Sequence, residues 1–209
     1  MDLKYRIVPM SDQHAEDVAI LHAMALPRGF LSTLGSRFLG DLYRLIGSSP
    51  RSAVWVVELE DGRCIGFLSG TADVKECYRH VFRRGWIKLG VNVLTQAWRP
   101  TVLKRMYETV RYPSNSTSSH DPHVGNANVP GELLSVAVSA EARGLGLGRK
   151  LVALLDDEMK RWSYSGYYRV VTDAMDPRSN AFYQSLGFAH AHDFLHHGHM
   201  MSCYLKAVD

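Results

Sequence analysis

The stretch that most limits what this chain can fold into is Leu133-Leu134-Ser135-Val136-Ala137-Val138-Ser139-Ala140-Glu141-Ala142-Arg143-Gly144-Leu145-Gly146-Leu147-Gly148-Arg149-Lys150. It reads as a buried strand, a short turn, a glycine-rich loop and the opening of a helix. A helix start holds backbone N–H groups without intrahelical partners and carries about half a positive charge. Gly144, Gly146 and Gly148 let the chain approach an anion closely and keep those donors facing outward. Arg143 opens the loop and Arg149 falls on the first helical turn, both able to pair with phosphate oxygens. The stretch is an anion cradle, and a pyrophosphate is the anion expected in it.

Two established loop patterns fail here. A mononucleotide loop ends in Gly-Lys-Ser/Thr, and Gly148-Arg149-Lys150-Leu151 offers no hydroxyl for magnesium. The dinucleotide fingerprint G-x-G-x-x-G fails on spacing, because these glycines fall at every second residue. Arg143-Gly144-Leu145-Gly146-Leu147-Gly148, with Val136-Ala137-Val138 before it and an amphipathic helix after it, resembles the Arg/Gln-x-x-Gly-x-Gly/Ala loop of the GNAT superfamily of N-acetyltransferases. A second segment, Asp176-Pro177-Arg178-Ser179-Asn180-Ala181-Phe182-Tyr183-Gln184-Ser185-Leu186-Gly187-Phe188, is similar to that family's Asn-x-x-Ser/Ala-Asn-x-Phe-Tyr-x-x-x-Gly-Phe signature. Two signatures in the family order are far more specific than either alone. One departure stands out: Asp176 sits where the family commonly has asparagine, and an ionised carboxylate accepts hydrogen bonds but cannot donate them. Asn180 is the residue expected to take over that contact.

The resemblance implies an α+β fold: a mixed, largely antiparallel sheet of six to seven strands flanked by helices. It implies acetyl-CoA as co-substrate, with no metal. Arg143, Gly144, Leu145, Gly146, Leu147, Gly148 and Arg149 would hold the pyrophosphate, and backbone groups of Val136, Ala137 and Val138 the pantetheine and thioester. Asn180 and Tyr183 complete the expected contacts. Tyr183 matches the family tyrosine that protonates the departing sulfur, and a phenol with pKa near 10 can donate while staying neutral at pH 7. Its bland alternative is an aromatic core residue. Glu132 lies at the position where some members carry the glutamate that deprotonates the amine through water. Its parity with Leu134, Val136 and Val138 predicts that it shares their face of the strand. A surface glutamate at a strand start is the competing reading.

Length and composition set the frame. The 209 residues suit one domain, taken as a single GNAT unit over 1–209 with an insertion at about 73–130. With 46% hydrophobic residues the chain can bury a core, and a net charge of +3 gives no argument for nucleic acid. Cys64, Cys77 and Cys203 form no C-x-x-C pair and suggest reduced thiols. No run approaches the roughly 18 apolar residues of a membrane span, and the start has no apolar signal core. A cytoplasmic location is the expectation.

Along the chain, Tyr5 to Val8 alternates as a first strand ended by Pro9. Ser11 or Asp12 caps a helix striped by Ala15, Val18, Leu21, His22 and Ala25. Leu31, Leu34, Phe38, Leu42 and Leu45 predict a second helix, terminated by Gly47-Ser48-Ser49-Pro50. Ala53–Leu59 and Arg63–Ala72 predict a hairpin around Glu60-Asp61-Gly62, with Gly66 and Gly70 hinting at a bulge or close backbone contact.

Residues 73–130 depart from the family, which usually joins its third and fourth strands by a short link. Residues 73–111 predict helical segments interrupted by Gly85, Gly90 and Pro100, with nine Lys or Arg against three acids. Such a segment suits a pocket for an anionic acceptor, contact with an acidic membrane surface, or a simple cover for the sheet. The polar run from 113 to 128 predicts a mobile loop.

Beyond the glycine loop, Leu147, Leu151, Leu154, Leu155, Met159 and Trp162 make one apolar helix face, stopped at Gly166. Tyr168–Thr172 predicts a strand buried on both sides, and Asp176-Pro177 a helix start. Ala189–Lys206 predicts a closing hairpin that turns at His196-His197-Gly198. Its five histidines complete no expected metal site.

The function expected from the resemblance is N-acetyl transfer to a primary amine of a small molecule, an amino sugar or nucleotide-linked amino sugar being the class suggested. A protein or peptide acceptor, and an acyl-CoA-binding regulatory module without turnover, are the alternatives. Self-association into a homodimer is left open.

Overall fold

The computed structural model describes residues 4–27, 29, 31–94, 129–196 and 198–208. Seven strands form one sheet: β1 (Tyr5–Pro9), β2 (Ser52–Leu59), β3 (Cys64–Thr71), β4 (Gly131–Val138), β5 (Gly166–Asp173), β6 (Ala189–His196) and β7 (His199–Val208), in the order β1-β2-β3-β4-β5-β7-β6. Every neighbouring pair is antiparallel except β4 and β5, which run parallel because a helix crosses over between them. This is the mixed, mostly antiparallel sheet that the sequence resemblance implied.

Side-chain alternation divides the core into two layers. On one face lie α1 (Ala15–Ala25), α2 (Ser36–Gly47) and α3 (Val74–Leu94), packed through Val18, Leu39, Tyr43, Cys77 and Val81 onto Val56 and Phe67. On the other lie α4 (Leu147–Arg161) and α5 (Pro177–Ser185), packed through Leu147, Leu151, Leu155, Met159 and Tyr183 onto Leu68, Leu133, Tyr168 and Val170. The inner strand β3 is buried at all eight positions. β5 alternates instead: Tyr168 and Val170 are buried, while Arg169 and Val171 are half-buried, so the strand is not closed on both faces.

Three local expectations change. The stripe from Leu31 to Leu45 is a 3₁₀ turn (Leu31–Leu34) followed by α2, because Gly35 adopts φ +88° and breaks the helix. α3 runs unbroken through Gly85 and Gly90. A Cβ at Gly85 would lie 2.4 Å from Leu45 Cδ1, so this glycine permits the approach of α2 rather than ending a helix. Pro100, four of the nine basic residues and the polar segment 113–128 lie outside the described residues. Gly166 opens β5 rather than closing α4, which ends at Arg161.

Candidate active site

β4 and β5 pair over only three positions, Gly131–Leu133 against Tyr168–Val170. Beyond Leu133, β4 continues to Val138 against β3 alone, and β5 continues to Asp173 against β7. The two parallel strands therefore open a crevice at their C-terminal ends, where each is followed by a helix. Ligands of such sheets bind in this position, facing two helix N-termini.

At one side of the crevice is the glycine loop. Gly144 and Gly146 take φ +82° and +72°, values that non-glycine residues adopt at a cost, and Arg143 through Gly146 are exposed. Gly146 is the N-cap of α4, which begins at Leu147. Lys150 N–H bonds the Gly146 carbonyl at 3.1 Å, so the amides of Leu147, Gly148 and Arg149 precede that bond and open at the helix end. Gly148 answers a different need: a Cβ there would sit 3.1 Å from the Phe182 ring, so its absence lets α4 and α5 close together. Arg149 reinforces that contact, donating to the Ser185 carbonyl and hydroxyl, each at 3.3 Å. Its guanidinium is thus tied to α5, whereas the side chain of Arg143 is exposed at the loop.

At the other side is the start of α5. Asp176 caps it, accepting from Arg178 N–H at 3.0 Å and Ser179 Oγ at 2.6 Å. These bonds hold its carboxyl below the usual carboxylate range, the Ser179 hydroxyl contributing most. The departure from asparagine thus has a structural reason. Asn180 Nδ2 donates to the Ala174 carbonyl at 3.0 Å, and its Oδ1 is buried without a partner among the described residues. Asn180 therefore keeps an unpaired acceptor, the reverse of the donor expected from sequence. Tyr183 is 8% exposed, packed edge-on to Phe182 and Phe188. Burial, with Asp176 adding to it, pushes its pKa up, so the phenol keeps its proton at neutral pH.

Glu132 is neither on a surface nor on the face its parity predicted. The β3–β4 register shifts between Ser69/Gly70: Ser69 pairs Ser135 and Gly70 pairs Leu133, leaving Leu134 as an extra residue. Leu133, Val136 and Val138 pack into the α4–α5 layer, whereas Leu134 and Ala137 pack into the α1–α3 layer. The bulge inverts the alternation, so Glu132, next to Leu133, faces the α1–α3 side, opposite to Val136 and Val138. Glu132 is 7% exposed and accepts from Arg169 Nε of β5 at 2.7 Å. Burial raises its pKa and Arg169 opposes the rise. Of the predicted residues, the β4 edge and the α4 start lie at the open end of the β4–β5 seam, while Asn180 and Tyr183 are on α5, which meets α4 where Gly148 approaches Phe182. Glu132 sits at its closed end, on the far face of the sheet from Tyr183.

Two features escaped the sequence reading. A recess of about 290 Å³ is lined by Pro50, Glu76, Arg79, His80, Arg83 and Arg84, on the outer side of α3. The helix that carries it starts against β4, through Val74 N–H to the Pro130 carbonyl at 2.8 Å. The other is a polar chain from His22 through Tyr43 to Ser135. Its members are 21 and 92 residues apart, and the stripe of α1 made His22 look like an ordinary core position. Among the described residues no three His, Cys, Asp or Glu side chains converge as metal ligands, and no helix is long and apolar enough to cross a membrane.

Comparison with known proteins fits this geometry. Residues 117–188 match the model of the acetyltransferase (GNAT) family. No curated protein matches the sequence. Among solved structures, the chain is similar to a GNAT-family acetyltransferase from Staphylococcus aureus Mu50, at 11% identity over 99% of this chain and 100% of that one, with a TM-score of 0.61. It is similar to Ard1 from Thermoplasma volcanium at 14% identity, over 98% and 97% of the two chains, with a TM-score of 0.59. It is also similar to yncA from Salmonella typhimurium, solved with its cofactor acetyl-CoA, at 17% identity over 98% and 94%, with a TM-score of 0.58. The family match spans the β4 edge, the glycine loop, α4, β5 and α5, the elements around the crevice, and over the rest of the chain the likeness to these acetyltransferases is one of fold.

Proposed function

We propose that the protein transfers the acetyl group of acetyl-CoA to a primary amine of a small molecule by direct attack within a ternary complex. The observation that carries this reading is the crevice itself: an open strand edge with an exposed glycine loop and helix start at its mouth. Amides of Leu147, Gly148 and Arg149 and the side chain of Arg143 suit the pyrophosphate, and the left-handed Gly144 and Gly146 keep the approach clear. The free edge from Leu134 to Val138 offers backbone donors and acceptors at about 3.3 Å per residue to an extended pantetheine. Asn180 Oδ1 can accept from one of its amide N–H groups. When bound, acetyl-CoA supplies an activated acyl carbon, its thioester.

The two faces of the sheet then divide the proton traffic. Glu132, on the α1–α3 side, accepts the proton of the attacking amine through water, and its burial makes it a better base. Tyr183, on the α4–α5 side, gives its proton to the sulfur as the C–N bond forms and the C–S bond breaks. A β4 N–H aimed at the carbonyl oxygen stabilises the negative charge that develops there, an effect of a few kcal/mol where water is excluded.

For the acceptor we propose an amine with an anionic group, a nucleotide-linked amino sugar being the class to try first. Support comes from the arginine-lined recess of α3, a helix that begins beside the strand carrying Glu132. The test has two stages. Coenzyme A at a hundred times its dissociation constant should add about 2.7 kcal/mol of stability, read as a rise in Tm. A thiol-release assay across a panel of amines, sugar nucleotides included, should then single out one class. Absence of any affinity for coenzyme A would overturn the reading.

A further inference from the structure

A hydrogen-bonded chain crosses the apolar α1–α2 layer and ends at the bulge of β4. His22 Nδ1 lies 2.6 Å from the Tyr43 phenol oxygen, and Tyr43 O–H donates to Ser135 Oγ at 3.1 Å. His22 and Tyr43 are each 2% exposed, and the Tyr43 ring packs edge-on to Phe67 at 5.0 Å. Polar groups at such depth are costly unless paired, so a chain of them through a hydrophobic layer calls for a reason.

The direction of the chain can be worked out. With the Tyr43 proton given to Ser135, the phenol oxygen accepts and His22 donates from Nδ1; Ser69 also lies beside the phenol. Nε2 is then the bare ring nitrogen, in keeping with its burial without a partner among the described residues. Burial also keeps the ring neutral, pushing its pKa down to about 4. Each donor polarises the next, so the chain strengthens the last hydroxyl as a donor. That hydroxyl belongs to Ser135, which is half-buried, just past the last β4–β5 rung, with nothing among the described residues to accept its proton.

We propose that Ser135 is a catalytic residue whose hydroxyl, polarised by His22 through Tyr43, donates to the thioester carbonyl oxygen beside the backbone donors of β4. The inference rests on the reading that the open β4 edge holds the thioester. Tyr43 and His22 act through Ser135 and are positioning residues.

The test uses Ser135→Ala, Tyr43→Phe and the double variant, all conservative in volume. Calorimetry with coenzyme A, which lacks the carbonyl, reports whether each protein is folded and whether the binding site itself is real. Difference infrared spectroscopy of bound acetyl-CoA carrying a ¹³C-labelled carbonyl reads the proposed bond directly. In the wild type that band should lie below its position in water, and Ser135→Ala should move it back towards the higher frequency. The kcat of Ser135→Ala should fall about 100-fold, as for other side-chain donors to such an oxygen, with KM for acetyl-CoA within about twofold. Tyr43→Phe should lower kcat about tenfold, and the double variant should be no slower than Ser135→Ala, because the proposed route from Tyr43 to the thioester runs through Ser135. A band and a kcat unchanged in Ser135→Ala would overturn the proposal. Independent, multiplying losses in the double variant would overturn the relay. If the wild type itself failed to bind coenzyme A, the acetyl-transfer reading would fall, and this inference with it.

Discussion

His22 shows how one side chain can tie stability to pH. Burial lowers its pKa from 6.5 to about 4, while in the unfolded chain it titrates near 6.5. Between those values the unfolded state binds the proton more readily, so the stabilisation is complete above pH 6.5 and is lost as pH falls towards 4. The difference between 6.5 and about 4, at 1.36 kcal/mol per unit, is roughly 3 kcal/mol. Urea unfolding at pH 7 and pH 4.5 should show that loss in the wild type and a clearly smaller one in His22→Gln. Tyr183 makes the complementary case for chemistry. Phenylalanine preserves its edge-on contacts with Phe182 and Phe188 while removing the proton. Tyr183→Phe should therefore lower kcat roughly 100-fold and leave coenzyme A affinity, read by calorimetry, within twofold. An unchanged kcat would return Tyr183 to the role of a core aromatic.

At the scale of elements, periodicity carried most of the reading. The β-branched and aromatic run of β2, the Glu60-Asp61-Gly62 turn to β3 and the apolar stripe of α4 are local properties, visible in a window of a dozen residues. So is the Asp176-Pro177 start of α5, whose cap uses only the nearby Arg178 amide and Ser179 hydroxyl. What escaped depends on partners far away in sequence. Gly85 and Gly90 look like helix breakers, yet α3 passes through both, and at Gly85 the explanation is Leu45 on α2. The bulge at Leu134 is set by cross-strand register with Ser69 and Gly70, which no single-strand pattern contains, and it moved Glu132 to the other face. Gly70 itself is a matter of packing. A Cβ there would lie 2.5 Å from Leu155 Cδ1, and Leu155 has no exposed surface into which it could swing. Gly70→Ala should cost about 2 kcal/mol in chemical unfolding, the usual range for an overfilled core. A neutral result would mean that α4 can slide on the sheet.

For the whole molecule, the fold and the place of the glycine loop in it were legible because two short signatures fix the order β4, loop, α4, β5, α5, and the remaining strands have only one sheet to join. Legibility ended where side chains from opposite layers meet, at Glu132 with Arg169 and at Ser135 with Tyr43. The brief junction between β4 and β5 has a mechanical consequence. It makes the sheet two plates, β1 to β4 and β5 to β7, joined along a seam only three rungs long. Anything lying in that seam acts as a rivet between them. Coenzyme A should slow amide hydrogen exchange about tenfold at 134–138 and 171–173, and leave β1 and β2 at their free rates. On the proposed function, rigidity would then arrive with the co-substrate, and leave with the spent thiol.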